Sequence, residues 1–96
     1  MKPEEFKKIS LSISGIVLFR SIQCAICSKE KELFDKVIKK FHDVECDDDP
    51  NYFIDVLDID VLPEVRIYEN GKSVWKKIDF VTEDDLKFLE NYVSLN

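Results

Sequence analysis

Long apolar runs, linkers and internal repeats are all missing from this sequence. Its 96 residues include only two glycines and three prolines, and no stretch approaches the roughly eighteen apolar residues that a membrane span requires. The one candidate for a signal peptide, residues 9–19 behind Lys7 and Lys8, is interrupted by serines and lacks a small-x-small cleavage site. We therefore expect no membrane anchor and no cleaved leader, and we expect residues 1–96 to form a single domain.

The sequence also has no excess of positively charged residues. Lysine and arginine number 14 against 20 aspartates and glutamates, so the net charge is -6. The lysines are spread among acids, whereas neutralising nucleic-acid phosphates needs clustered Lys and Arg. We therefore expect no nucleic-acid partner.

Cysteine is scarce and odd in number. A secreted scaffold of this length would normally have an even set of cysteines, but here there are three. A cytoplasmic protein with one working cysteine pair fits better. The 45% hydrophobic content is ample for a single core.

Two of the three cysteines, Cys24 and Cys27, follow a short apolar run at residues 16–19 that predicts a buried strand. After them the apolar residues recur at helical spacing, so Cys24 is expected at a helix N-terminus. The helix dipole and the first-turn N–H groups there favour a thiolate. Cys27 lies one turn further along the same face, where it can attack a mixed disulfide formed at Cys24. The spacing predicts Cys24 as nucleophile and Cys27 as resolving cysteine.

The remaining patterns predict an α/β fold with a mixed four-stranded sheet and helices on both faces. Asn70-Gly71 is a strong signal for a type I′ hairpin, and Thr82 with Asp85 resembles a capping box. A strand, helix, strand series implies a parallel pair, to which the hairpin adds an antiparallel edge. The predicted helices are 3–13, 24–41, 50–60 and 82–93, and the predicted strands are 16–20, 44–46, 65–68 and 73–75.

Four matches make the sequence resemble the thioredoxin family, and together they cover nearly the whole chain. They are the Cys24-Ala25-Ile26-Cys27 motif after a strand, Leu62-Pro63 before a strand, the hairpin at residues 68–72, and the closing helix at 82–93. The resemblance implies a thioredoxin-like fold and a thiol-disulfide oxidoreductase that reduces protein disulfides without a cofactor. It also implies a cis Leu62-Pro63 bond beside the cysteines, where an extended substrate pairs with the backbone of Leu62.

Gln23, Ala25, Ile26, Leu62 and Pro63 are accordingly the predicted substrate-binding residues. The predicted partners are a disulfide-containing protein and an unidentified electron donor such as a reductase, with the protein itself a cytoplasmic monomer. No metal is predicted.

Several positions depart from the thioredoxin pattern. Gln23 replaces a tryptophan, Leu18 occupies the place of a buried aspartate that helps to deprotonate the resolving cysteine, and no replacement base is evident. Val61, Glu64 and Asp79 stand where small residues shape the docking groove, and an acid near Cys24 would oppose thiolate formation. These departures predict a restricted set of partners.

Three alternatives stay open. Without the aspartate and tryptophan, the chain could be a binding module whose cysteines are redox-inactive or only sense redox state. A glutaredoxin-like protein is a second alternative, although the Gly-Gly and Asp that bind glutathione are missing. In the third, His42 and Cys46 join the pair as zinc ligands, but Cys27 and His42 would be about 22 Å apart along a continuous helix.

Overall fold

The computed structural model describes residues 1–95, so Asn96, the last residue of the predicted domain, lies outside it. The helices and strands follow one another along the chain in the predicted order. The elements are α1 (Pro3–Ile9), β1 (Gly15–Arg20), α2 (Ala25–Val37), β2 (His42–Glu45), α3 (Pro50–Asp55), β3 (Glu64–Glu69), β4 (Lys72–Ile78) and α4 (Glu83–Leu95).

The four strands form one mixed sheet in the order β2-β1-β3-β4. β1 and β2 are parallel, and β3 is antiparallel to both β1 and β4. The predicted mixed four-stranded sheet is therefore confirmed. None of the helices within residues 1–95 is long and apolar enough to cross a membrane.

Helices cover both faces of the sheet, so alternate residues of the central strand β1 pack into different clusters. Val17 and Phe19 lie on the face covered by α1 and α3. The ring centroids of Phe6 and Phe53 lie 5.4 and 5.8 Å from that of Phe19. On the other face, the buried cluster from β1, β3, α2 and α4 includes Ile16, Leu18, Phe34, Val65, Ile67 and Leu89. This two-sided burial explains the unbroken apolar run in the sequence.

Three helices end earlier than predicted. α1 ends at Ile9 rather than residue 13, because residues 10–12 form a turn in which the Ser12 N–H donates to the Ile9 carbonyl oxygen. α2 ends at Val37 rather than residue 41, since Ile38 is extended, yet the Phe41 ring still packs 5.3 Å from Phe34. α3 ends at Asp55 rather than residue 60. Apolar periodicity continued past each end because the loop residues are still buried.

The hairpin and the last helix begin as their sequence signals predict. Asn70 and Gly71 have φ angles of 50° and 82°, the positive values that a type I′ turn requires. A Cβ atom at Gly71 would lie 2.3 Å from the Leu11 carbonyl oxygen, so the tip fits closely against the turn after α1. The backbone N–H of Thr82 donates to the Asp85 carboxylate and that of Asp85 to the Thr82 hydroxyl, which completes the capping box before α4.

Candidate active site

The two cysteines of the CxxC motif and the Leu62-Pro63 segment lie at the same edge of the sheet, where several strands end. Strand pairing sets Phe19 opposite Glu64, Arg20 opposite Glu45, and Glu64 opposite Ile78. β1, β2 and β4 therefore end where β3 begins. The segments that meet at this edge are 21–24, 46–49, 61–63 and 79–82.

Cys24 occupies the N-cap of α2, as predicted from the helical periodicity that follows it. Its Sγ accepts a hydrogen bond from the Cys27 backbone N–H at 3.2 Å. All three cysteines are free thiols; Cys24 is half-buried, whereas Cys27 and Cys46 are buried. Cys24 is thus the thiol of the pair that a large disulfide can approach.

The Cys27 thiol is held in its protonated form. Burial raises its pKa to about 12, and the hydrogen bond to Cys24 and the charges of Cys24 and Glu30 act in the same direction. Cys27 is therefore a poor nucleophile at rest, and its activation needs a proton acceptor.

Asp47 organises the loop that precedes Cys24. Its carboxylate accepts hydrogen bonds from the Ser21 hydroxyl at 2.5 Å and from the Ile22 N–H at 3.0 Å. The Ser21 hydroxyl oxygen in turn accepts from the Gln23 N–H at 3.2 Å. These hydrogen bonds lower the pKa of Asp47 against the opposing effect of its desolvation. The contact of Asp47 with residues 21–22 depends on the pairing of β1 with β2, so no local sequence pattern indicates it.

The Leu62-Pro63 peptide bond is cis, as the resemblance implied. Pro63 is buried, and its carbonyl oxygen accepts a hydrogen bond from the Asp79 N–H at 2.8 Å. Asp79 has a φ of 69°, which explains why a glycine would suit this position and why an aspartate tolerates it. The hydrogen bond from Asp79 therefore connects the residue before β3 to the loop after β4.

Several exposed apolar side chains lie in or directly beside the segments that meet at this end of the sheet. We call them the apolar rim: they are between 43 and 56% exposed and comprise Ile22, Ile26, Val61, Ile78 and Phe80. Gln23 and Ala25 are exposed beside them, and Leu62 is half-buried. Apolar side chains grouped on a surface are typical of a protein-docking site.

Glu64 does not lie exposed in a docking groove, contrary to the sequence-based interpretation. It is 1% exposed, and its carboxylate accepts a hydrogen bond from the Arg66 guanidinium. Arg66 also donates to the Leu57 carbonyl oxygen at 2.6 Å and to the Tyr68 hydroxyl at 3.2 Å. The negative charge of Glu64 is therefore neutralised inside the protein, so Glu64 is a weak opponent of a thiolate at Cys24.

His42 lies at the opposite edge of the sheet, because it begins β2 whereas Cys24 follows the end of β1. Its ring contacts the Ser14 carbonyl oxygen. Cys46 is buried in the core, as expected of a small apolar residue. Within residues 1–95, no three His, Cys, Asp or Glu side chains are grouped so as to hold a metal ion.

Glu30 is the residue that sequence reasoning missed, since no replacement for the family's buried acid was evident. Its side chain is fully buried on α2, and one carboxylate oxygen accepts from the Val81 N–H at 2.7 Å. Burial raises the pKa of Glu30 to about 7, and the nearby charges of Asp79 and Asp85 add to this effect. The available signal was an acid three residues after Cys27, on the helix face that otherwise holds apolar residues.

Glu30 predicts an unusual pH dependence of stability. Its pKa rises from 4.5 to about 7 on folding, so the folded protein binds more protons than the unfolded chain between these values. Stability should therefore fall as the pH rises from 4.5 to 7, by about 3 kcal/mol, and then level off. Urea unfolding across this range should show the decline in the wild type, and it should be absent from a Glu30→Gln variant. Parallel curves for the two proteins would contradict the assignment.

These features define an α/β protein with a pair of thiols at the start of a helix, next to a cis-proline loop. Comparison with solved structures identifies the fold as the thioredoxin fold. Similar structures include a thioredoxin of Malassezia sympodialis, with a TM-score of 0.74 and 16% identity over 97% of this chain and 86% of that one. A Plasmodium falciparum thioredoxin matches with a TM-score of 0.71 and 23% identity over 95% of this chain and 92% of that one.

A third match is thioredoxin 1 of Thermosipho africanus, with a TM-score of 0.65 and 15% identity over 84% of this chain and 96% of that one. No protein-family model matches the chain, and no curated protein sequence does. The predicted thioredoxin-like fold with its CxxC-spaced pair is confirmed, and at these identities the likeness concerns the fold.

Proposed function

We propose that this protein is a thiol-disulfide oxidoreductase that reduces disulfide bonds in protein substrates through Cys24 and Cys27. The observation that supports this most directly is the asymmetry of the pair. The Sγ of the half-buried Cys24 accepts the Cys27 N–H at a helix N-terminus, while the Cys27 thiol is buried and protonated. One thiol is suited to attack from solvent and the other to attack from within.

The proposed reaction moves two electrons to the substrate. The Cys24 thiolate attacks one sulfur of a substrate disulfide, and the other sulfur leaves as a thiolate. Cys27 then loses its proton and attacks the Cys24 Sγ, which breaks the bond to the substrate and releases its second sulfur. The products are a dithiol substrate and a Cys24–Cys27 disulfide. A dithiol electron donor must then reduce this disulfide for the next turnover.

Substrate docking is assigned to the exposed surface around Cys24. Gln23, Ala25 and Ile26 would contact the substrate beside the reacting disulfide, and Leu62, next to Pro63, would pair with an extended segment through its backbone. The apolar rim favours a substrate with apolar residues near its disulfide. Asp79, in the 79–82 segment, and Asp60, directly before the 61–63 segment, are both exposed, so an acidic substrate would be repelled.

This charge pattern, together with the bulk of Val61, supports a restricted set of partners. We place the protein in the cytoplasm, since three cysteines with one working pair suit a reducing compartment. We expect it to act there as a monomer.

The reduction potential of the Cys24–Cys27 pair tests the proposal. Protein equilibrated in graded dithiothreitol or glutathione buffers and quenched with acid should give a potential near or below the cytosolic glutathione poise of about -240 mV. A Cys46→Ser variant should give the same value, because Cys46 lies outside the pair. A pair that never oxidises, or a potential above about -150 mV, would exclude a reductase.

A further inference from the structure

Glu30 lies where a proton acceptor for the resolving cysteine would be needed. It follows Cys27 by three residues on α2, a spacing that brings Cβ atoms to about 5–6 Å. Both side chains are fully buried on the inner face of the helix. Cys27 is also sensitive to the charge of Glu30, which raises the pKa of the thiol in addition to the larger effect of burial.

Within the part of the chain that the structure describes, one of the two Glu30 carboxylate oxygens makes no hydrogen bond that would stabilise the fold. Oε1 accepts the Val81 N–H at 2.7 Å, but Oε2 is buried without a hydrogen-bond partner among residues 1–95. A buried, incompletely paired carboxylate lowers stability, and an apolar residue at position 30 would avoid this cost. A side chain retained at such a cost is a candidate for chemistry.

We propose that Glu30 is the general base that takes the proton from Cys27 when the mixed disulfide at Cys24 is resolved. This inference rests on the proposed function. Glu30 would perform the deprotonation of Cys27 that Leu18, an apolar residue, cannot.

The Glu30 carboxylate accepts the Cys27 Sγ proton, and the resulting thiolate attacks the Cys24 Sγ. The bond between Cys24 and the substrate sulfur breaks, and that sulfur leaves with the electron pair as a thiolate. The substrate thiolate takes a proton from solvent, and Glu30 later returns its own proton to solvent.

The surroundings of Glu30 suit a base that works near neutral pH. The charged and titratable groups that act on it are Cys27 on α2, Asp79 after β4 and Asp85 on α4. Both aspartates disfavour its ionised form, as does burial, and its pKa of about 7 makes the carboxylate a stronger base than an exposed one.

A chromogenic aromatic disulfide separates the two chemical steps. In a single turnover with equimolar reagent, attack by Cys24 releases the first aromatic thiolate, and attack by Cys27 on the mixed disulfide releases the second. In a Glu30→Gln variant, which can still accept the Val81 N–H, the first phase should stay within about threefold of the wild type. The second phase should slow about a hundredfold and lose its inflection near pH 7. A Glu32→Gln variant, altered at an exposed acid of the same helix, should keep both phases.

A second phase that keeps its rate and pH profile in Glu30→Gln would overturn the inference. If that variant does not fold, the wild-type profile decides. An inflection near pH 7 supports the inference, and a second-phase rate that rises with pH up to 10 without one overturns it. Because the reagent is small, a protein that shows both phases but reduces no protein disulfide would refute the proposed function and leave the role of Glu30 standing.

Discussion

A Cys24→Ser protein is expected to reduce disulfides at least a thousandfold more slowly than the wild type. The two thiols that remain, Cys27 and Cys46, are both buried, and burial is the main reason that each has a pKa of about 12. At pH 7.5 roughly one molecule in thirty thousand would hold either as a thiolate, the form that attacks. Neither thiol can therefore replace Cys24.

The measurement is the rate of protein-disulfide reduction with dithiothreitol as electron donor, corrected for the donor alone. Cys46→Ser is the matched control and should keep the wild-type rate, because it removes an equally buried thiol outside the pair. In a separate incubation with substrate and no dithiothreitol, Cys27→Ser should accumulate a mixed disulfide with the substrate, since attack can occur but resolution cannot. Full activity in Cys24→Ser would refute the mechanism. If Cys24→Ser, Cys27→Ser protein retained partner binding and cellular function, the binding-module alternative would replace it.

Local signals predicted the parts of the fold that neighbouring residues determine. The hairpin follows from the positive φ angles that Asn70 and Gly71 tolerate, and the start of α4 from the reciprocal hydrogen bonds of Thr82 and Asp85. The position of Cys24 follows from the change of periodicity after β1. The cis bond before Pro63 was accessible only through the family resemblance, because a proline alone does not determine its isomer.

The polar parts of the site could not be predicted because they depend on contacts distant in sequence. Asp47 reaches Ser21 only through the parallel pairing of β1 and β2. Glu30 meets the Val81 N–H, 51 residues away, only once α2 packs on the sheet. Helix periodicity gave the direction of each face but not the residue at which the helix ends, since buried loop residues extend the same pattern.

An Arg66→Met protein is expected to lose about 3–5 kcal/mol of stability, because the change leaves Glu64 as an unpaired charge in the core. Glu64 is 1% exposed and Arg66 is 6% exposed, so water can replace little of the lost interaction. The change also removes the hydrogen bonds that Arg66 donates to the Leu57 carbonyl oxygen and the Tyr68 hydroxyl. Urea unfolding monitored by circular dichroism at pH 7.5 gives the free energy of unfolding. A Lys31→Met variant, which breaks the more exposed ion pair with Asp35, should lose less than about 0.5 kcal/mol.

The double variant Glu64→Met, Arg66→Met separates the penalty of an unpaired charge from the worth of the ion pair. If the stability lost in Arg66→Met comes mainly from the unpaired charge of the buried Glu64 carboxylate, removing both charges should recover more than half of that loss. A double variant as unstable as Arg66→Met would instead assign the loss to Leu57 and Tyr68. Because Glu64 directly follows Pro63 and pairs with Phe19, the same comparison measures how far the Glu64–Arg66 ion pair fixes the start of β3 beside Cys24. A fall in the disulfide-reduction rate of the refolded double variant would show that the ion pair positions the site as well as stabilising the fold.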